Sequence, residues 1–150
     1  MAKPVTASAS KLLVLLESTT TAGTFAAPCG LTTKGINFAA ESNDVTVPDC
    51  DDPDLPAWTE RVIRALSSTI NGSGVLALES LDDWQGYFFS GLARNCRVKL
   101  DVPAANNGGY FQGRFILTRF GIVGEIGNKI RLDAVELQND GPVTWVAASA

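Results

Sequence analysis

The side chains best placed to do chemistry are carboxylates. Between Glu41 and Glu60 the chain carries seven of them: Glu41, Asp44, Asp49, Asp51, Asp52, Asp54 and Glu60. Three prolines (Pro48, Pro53, Pro56) and Trp58 stand among them, with no basic residue between Lys34 and Arg61. Oxygen donors at that density suit a hard cation such as calcium. The EF-hand arrangement is missing, because neither its glycine nor its closing glutamate stands where the loop needs it. Proline and aspartate this dense preclude a regular helix or a central strand. A long acidic loop over 41–60, solvated or touching a partner, is therefore expected in preference to a metal site. Such a loop is uncommon in a compact domain unless it has a function.

The remaining chemistry is thin. There is no histidine, which removes the commonest general base, nucleophile activator and metal ligand. Cys29, Cys50 and Cys96 are scattered, with no C-x-x-C spacing, so zinc is not expected and the thiols are read as reduced and partly buried. Phosphate-binding glycine loops, the dinucleotide fingerprint and the nucleophile elbow are all absent. Asp82 and Asp83 sit at a helix start, where the helix dipole accounts for them. Two distant acids could meet in the fold as a glycosidase pair, but nothing in the sequence singles out such a pair. Neither an enzyme nor a cofactor is expected.

Composition agrees with a folded domain of another kind. Of the 150 residues, 45% are hydrophobic and 19% charged, enough for one domain (1–150) with its own core. A net charge of −4 argues against tight binding to a phosphate backbone. The run Leu12-Leu13-Val14-Leu15-Leu16 after Lys11 is too short for an export signal or a membrane span and is read as a buried strand, in a protein that stays where it is made.

The elements around these residues are mostly extended. Met1 to Ser10 reads as a flexible arm and Gly141 to Ala150 as a tail. Thr24 to Phe38 is extended, with bends at Gly30 and Gly35. Trp58 to Leu66 fits either a helix stripe or a strand face. Asn71-Gly72-Ser73-Gly74 is either a turn or a glycine-kinked passage within one strand. One short helix is expected, capped by Ser80, with Asp83 at its third position and Gly91 closing it, and with Leu81, Trp84 and Phe88 on its packed face. Asn95 to Val102 alternates, with Cys96, Val98 and Leu100 on one side and Arg97, Lys99 and Asp101 on the other. Tyr110 to Glu125 and Lys129 to Gln138 form a hairpin around Ile126-Gly127-Asn128. Its apolar phase switches after Leu117 in one strand and after Ala134 in the other. The switches lie opposite each other and require a paired bend or bulge.

The order of these patterns resembles that of siphophage major tail tube proteins. Ile70-Asn71-Gly72-Ser73-Gly74 followed by Val75-Leu76-Ala77-Leu78, the helix ending Phe88-Phe89-Ser90-Gly91, and Gly109-Tyr110-Phe111-Gln112-Gly113 through Phe120 to Asn128 carry the likeness. It covers about Gly30 to Val146 and looks nearest to the tail tube proteins of gene transfer agents. The resemblance implies two packed antiparallel sheets, in sandwich or barrel form, with a short flanking helix. It implies six copies closing into a ring, and rings stacking into a tube that conducts DNA. The loop residues Glu41, Asp44, Asp49, Asp51, Asp52, Asp54, Trp58 and Glu60 would then reach a neighbouring subunit or the next ring, and both chain ends would order on assembly. A tape measure protein, a tail terminator and a distal tail protein would be partners, with no membrane. The protein would reside in the virion tail after assembly in the host cytoplasm. A net negative charge suits a channel that must not retain a polyanion.

Two other readings compete. A type VI secretion tube protein shares the ring architecture. A monomeric β-sandwich module binding carbohydrate through Trp58, Trp84 or Trp145 requires those aromatics to be exposed.

Overall fold

Alternation decides which side of each strand is buried. The computed structural model describes residues 3–149. Its strands are β1 (Leu12–Glu17), β2 (Phe25–Ala26), β3 (Leu31–Thr46), β4 (Thr59–Val75), β5 (Arg94–Leu100), β6 (Gly109–Val123) and β7 (Arg131–Ala147), with one α-helix, α1 (Leu78–Ser90), between β4 and β5. All pair antiparallel in one sheet, in the order β2-β1-β5-β6-β7-β4-β3. The two expected layers are two halves of this sheet, because β6 and β7 are long enough to serve both. The first half of β6 pairs with β5, while the first half of β7 pairs with β4.

The bend between the halves sits where the apolar phase switches. Leu117 pairs with Leu137 and Arg119 with Glu136, leaving Thr118 unpaired in β6. Gly121 pairs with Ala134 and Ile122 with Leu132, leaving Asp133 unpaired in β7. One extra residue on each strand swaps its buried face, so Phe115 and Leu117, then Leu132, Val135 and Leu137, all point into one core. Val14 and Leu16, Ile70, and Cys96 and Val98 complete it from β1, β4 and β5.

The helix seals that core, but not as its cap residues suggested. It begins at Leu78 after Ala77, with no side-chain cap, and Ser80 lies inside its first turn. Leu76 is buried and its N–H donates to the Ile130 carbonyl at 3.0 Å, so the chain is pinned to the sheet until Ala77 and coils as soon as it is free. Trp84 and Tyr87 face inward and Phe88 and Phe89 are exposed, a face turned by one residue from the expected one. Gly91 ends the helix in the left-handed conformation (φ 65°), as expected of a closing glycine.

Trp58 to Leu66 is strand from Thr59 onward, and Asn71 to Gly74 is a passage within β4, with a register shift between Gly72 and Gly74. There the backbone of β4 presses on the start of β3. A Cβ on Gly74 would lie 2.1 Å from the Gly30 carbonyl oxygen, which already accepts from Val75 N–H at 3.0 Å. Asn95 to Leu100 alternates as expected.

Candidate assembly surfaces

The acidic loop is shorter than its composition implied. Glu41, Asp44 and Glu60 lie in strands, since β3 runs to Thr46 and β4 starts at Thr59. Their residues pair rung by rung from Ser42↔Ile63 to Thr46↔Thr59, and only 47–58 forms the connecting tip. Sequence reasoning treated all seven acids alike, but cross-strand partners distinguish them. Arg61 Nε donates to Asp44 Oδ1 at 3.1 Å, and Arg64, displaced by the bulge between Glu41 and Ser42, bonds to Glu41. In the tip, Asp49 Oδ1 accepts from Asp51 N–H at 2.9 Å and Asp52 Oδ1 from Asp54 N–H at 3.3 Å, local turns that aspartate favours. No group of carboxylates placed to hold a metal ion exists among the described residues.

β3 and β4 therefore form a two-stranded arm. From Thr59 to Ser67, β4 pairs with β3 alone. The arm carries exposed Val45, Val62, Ile63 and Leu66, and at its tip Val47, Leu55 and Trp58, the last 92% exposed. The expected C-terminal tail is also strand, because Val143 to Ala147 pair with Gly113 to Gly109 of β6; Ala150 lies outside the described residues. Of the N-terminal arm, Met1 and Ala2 lie outside them too. From Lys3 to Ser8 the chain is exposed without regular structure, then makes a short 3-10 turn at Ala9–Lys11.

The sheet has two open sides. One is β3, sixteen residues long and paired only with β4; the other is β1, which β2 covers at just two positions. Register also defines a polar face opposite the core. Asn37, Thr69, Gln138 and Ile116 make one row across β3, β4, β7 and β6, and Gly35, Asn71, Glu136 and Arg119 the next.

On the other half of the sheet, the same outward face carries Arg97. Its guanidinium lies over Phe25 (3.9 Å to the ring centre) and Tyr110 (4.5 Å), and Nε donates to Gln112 Oε1 at 3.2 Å. Sequence reasoning placed Arg97 outside but missed this clamp, since nothing local to Phe25 signals it. Arg94, on the inward face, pairs with Asp83 at 3.1 Å and lies over Tyr87, a partner the helix dipole alone did not supply for Asp83.

The remaining candidates separate widely. Trp84 is 1% exposed in the core and Trp145 is 41% exposed and tilted against Phe111, so neither forms a common platform with Trp58. Cys96 is buried, whereas Cys29 and Cys50 are exposed, against the expectation of partial burial. Among the described residues, no helix is long and apolar enough to cross a membrane.

Residues 6–144 match the family model described as phage tail tube protein. No curated protein sequence matches the chain. Among solved structures, the tail of an empty gene transfer agent particle with C6 symmetry superposes with a TM-score of 0.79 at 23% identity, covering 95% of this chain and 100% of that one. The virion of a native gene transfer agent gives 0.76 at 22% identity, covering 95% and 100%. The SPP1 tail tube gives 0.64 at 10% identity, covering 94% and 79%. With its mainly β architecture, its single flanking helix and a family match over nearly all of its length, the chain belongs to the phage tail tube protein family, a family of structural subunits.

Proposed function

We propose that this chain is the repeating subunit of a tail tube, in which six copies close into a ring through their strand edges and rings stack around a channel that conducts DNA. The observation that carries the reading is the pair of open sheet sides, β3 and β1. An unpaired edge of sixteen residues is a liability in a solitary protein and an asset in a ring, where each copy's edge is covered by the next. That the solved relatives in fold are assembled tails supports it.

The polar rows of β3, β4, β7 and β6 are the natural channel wall. They present amides and hydroxyls from Asn37, Thr69, Asn71 and Gln138, with one acid, Glu136, and one base, Arg119. A wall of this kind is close to neutral rather than acidic, and it offers a polyanion few fixed charges to bind. A tape measure protein inside, with a tail terminator and a distal tail protein at the ends, would complete the tail in the virion, following assembly in the host cytoplasm. Catalysis has no place in this reading. Negative-stain electron microscopy of the purified protein over a concentration series tests it. Rings or hollow tubes are expected; monomers at every concentration and ionic strength count against it and favour a binding module.

A further inference from the structure

We propose that the acidic tip of the β3–β4 arm docks on the Arg97 face of a second copy of this chain; the inference rests on the tube reading and names the surface the arm would meet.

The tip has charge to spare. The arm's two arginines are already matched, Arg61 by Asp44 and Arg64 by Glu41, so among the described residues Asp49, Asp51, Asp52 and Asp54 in 47–58 have no cation of their own. Asp49 and Asp52 are turned onto their own loop, which leaves Asp51 and Asp54 for a partner. Trp58 and Leu55 are exposed beside them.

The Arg97 face answers both features. The guanidinium is immobilised between Phe25 and Tyr110, and its one side-chain hydrogen bond, to Gln112, uses Nε. Among the described residues it has no carboxylate partner, and neither has Arg114 on the same face. The acids nearby are engaged: Glu17 accepts from Asn95, and Asp101 lies 4.0 Å from Lys99. A planar fork held in place on aromatic rings is suited to bidentate capture of a carboxylate, and arginine beside aromatics is typical of binding hot spots. The occupant comes from another molecule, because nine residues of paired strand carry the tip about 30 Å past the last rung of β4 with β7. A paired ribbon does not double back.

Cys50 lies in the tip, so the contact can be read directly. In a Cys29→Ser chain, Cys50 is the accessible thiol, since Cys96 is buried. A photo-crosslinker attached there, in a mixture of ordinary and 15N-labelled chains, is expected to yield intermolecular links to peptides holding Phe25, Arg97 or Tyr110. Links confined to other segments, or none in an associated species, overturn the docking. Charge exchange gives a second readout. Arg97→Glu with Arg114→Glu, and Asp51→Lys with Asp54→Lys, are each expected to weaken association about tenfold at low salt, and the four changes together to restore most of it. A combined variant no better than either pair alone overturns the proposal. Wild-type chains that associate without forming rings overturn the tube reading alone, because the crosslink still reports on the docking. A strict monomer overturns both.

Discussion

Asn139 takes the place of a main-chain rung for Ser68. The Ser68 N–H donates to Asn139 Oδ1 at 3.0 Å, one residue beyond Thr69↔Gln138, the last pair joining β4 to β7. Asn139 Nδ2 also donates to the Gly141 carbonyl at 2.9 Å. One amide thus closes the sheet and turns β7 away, opening a cleft of about 330 Å³ lined by Phe38, Leu66, Pro142 and Val143. The arm begins at this fork.

Asn139→Ala leaves the buried Ser68 N–H without its acceptor and is expected to cost about 1–3 kcal/mol. The Ser68 hydroxyl is buried with no partner among the described residues, so Ser68→Ala is expected to be neutral or stabilising. Urea unfolding of the two variants checks both directions, and an Asn139→Ala chain as stable as wild type refutes the role given to the amide.

Two glycines of equal size should respond oppositely to alanine. Gly74→Ala would set a methyl 2.1 Å from the Gly30 carbonyl oxygen, so β3 and β4 must separate, with an expected loss of about 2 kcal/mol or more. Gly86 lies mid-helix with open space around it, and Gly86→Ala is expected to stabilise by about 1 kcal/mol. Thermal unfolding measures the pair.

Burial pushes the Cys96 thiol up from 9.0 to about 12, and burial likewise raises the Tyr87 phenol, whose hydroxyl bonds to the Phe115 carbonyl and lies 3.8 Å from the Cys96 sulfur. Below about pH 8 both groups hold their protons whether folded or unfolded, so their contribution is intact. As pH rises towards 12 the unfolded chain releases protons that the folded chain keeps, and stability falls by up to about 1.4 kcal/mol per pH unit for each group. Urea midpoints at pH 8, 10 and 11 test this, and Cys96→Ala should shallow the decline. At pH 8 a thiol reagent should find Cys29 and Cys50 in the folded protein and Cys96 only on unfolding.

Removing Asp49 to Asp54 deletes no core residue and no arm rung. A folded, soluble subunit is expected, with an unchanged melting temperature and no tubes in electron micrographs. Unaltered polymerisation would remove the tip from assembly altogether.

Much of the fold is written locally. The two-residue period of Cys96 and Val98, the paired phase switches of the last hairpin and the glycine after Ser90 each act on their neighbours, so spacing alone determined a β-rich chain, a bent hairpin and a helix ending at Gly91. The absence of histidine and of metal-ligand spacing was equally plain. What failed locally was decided by partners remote in sequence. Glu41 and Asp44 read as loop because aspartate and proline surround them, yet Ile63, Val62 and Arg61 hold that stretch as strand. Gly141 to Ala150 read as a tail until β6 supplied a ladder for Val143 to Ala147. Ser80 lost the helix cap to the Leu76–Ile130 bond, and two packed layers became one sheet because β6 and β7 run through both. Arg97 needed Phe25, and the arm needed Asn139 to release it. Periodicity reports which face of an element is buried; only tertiary structure reports against what, because pairing energy depends on residues the local sequence does not contain.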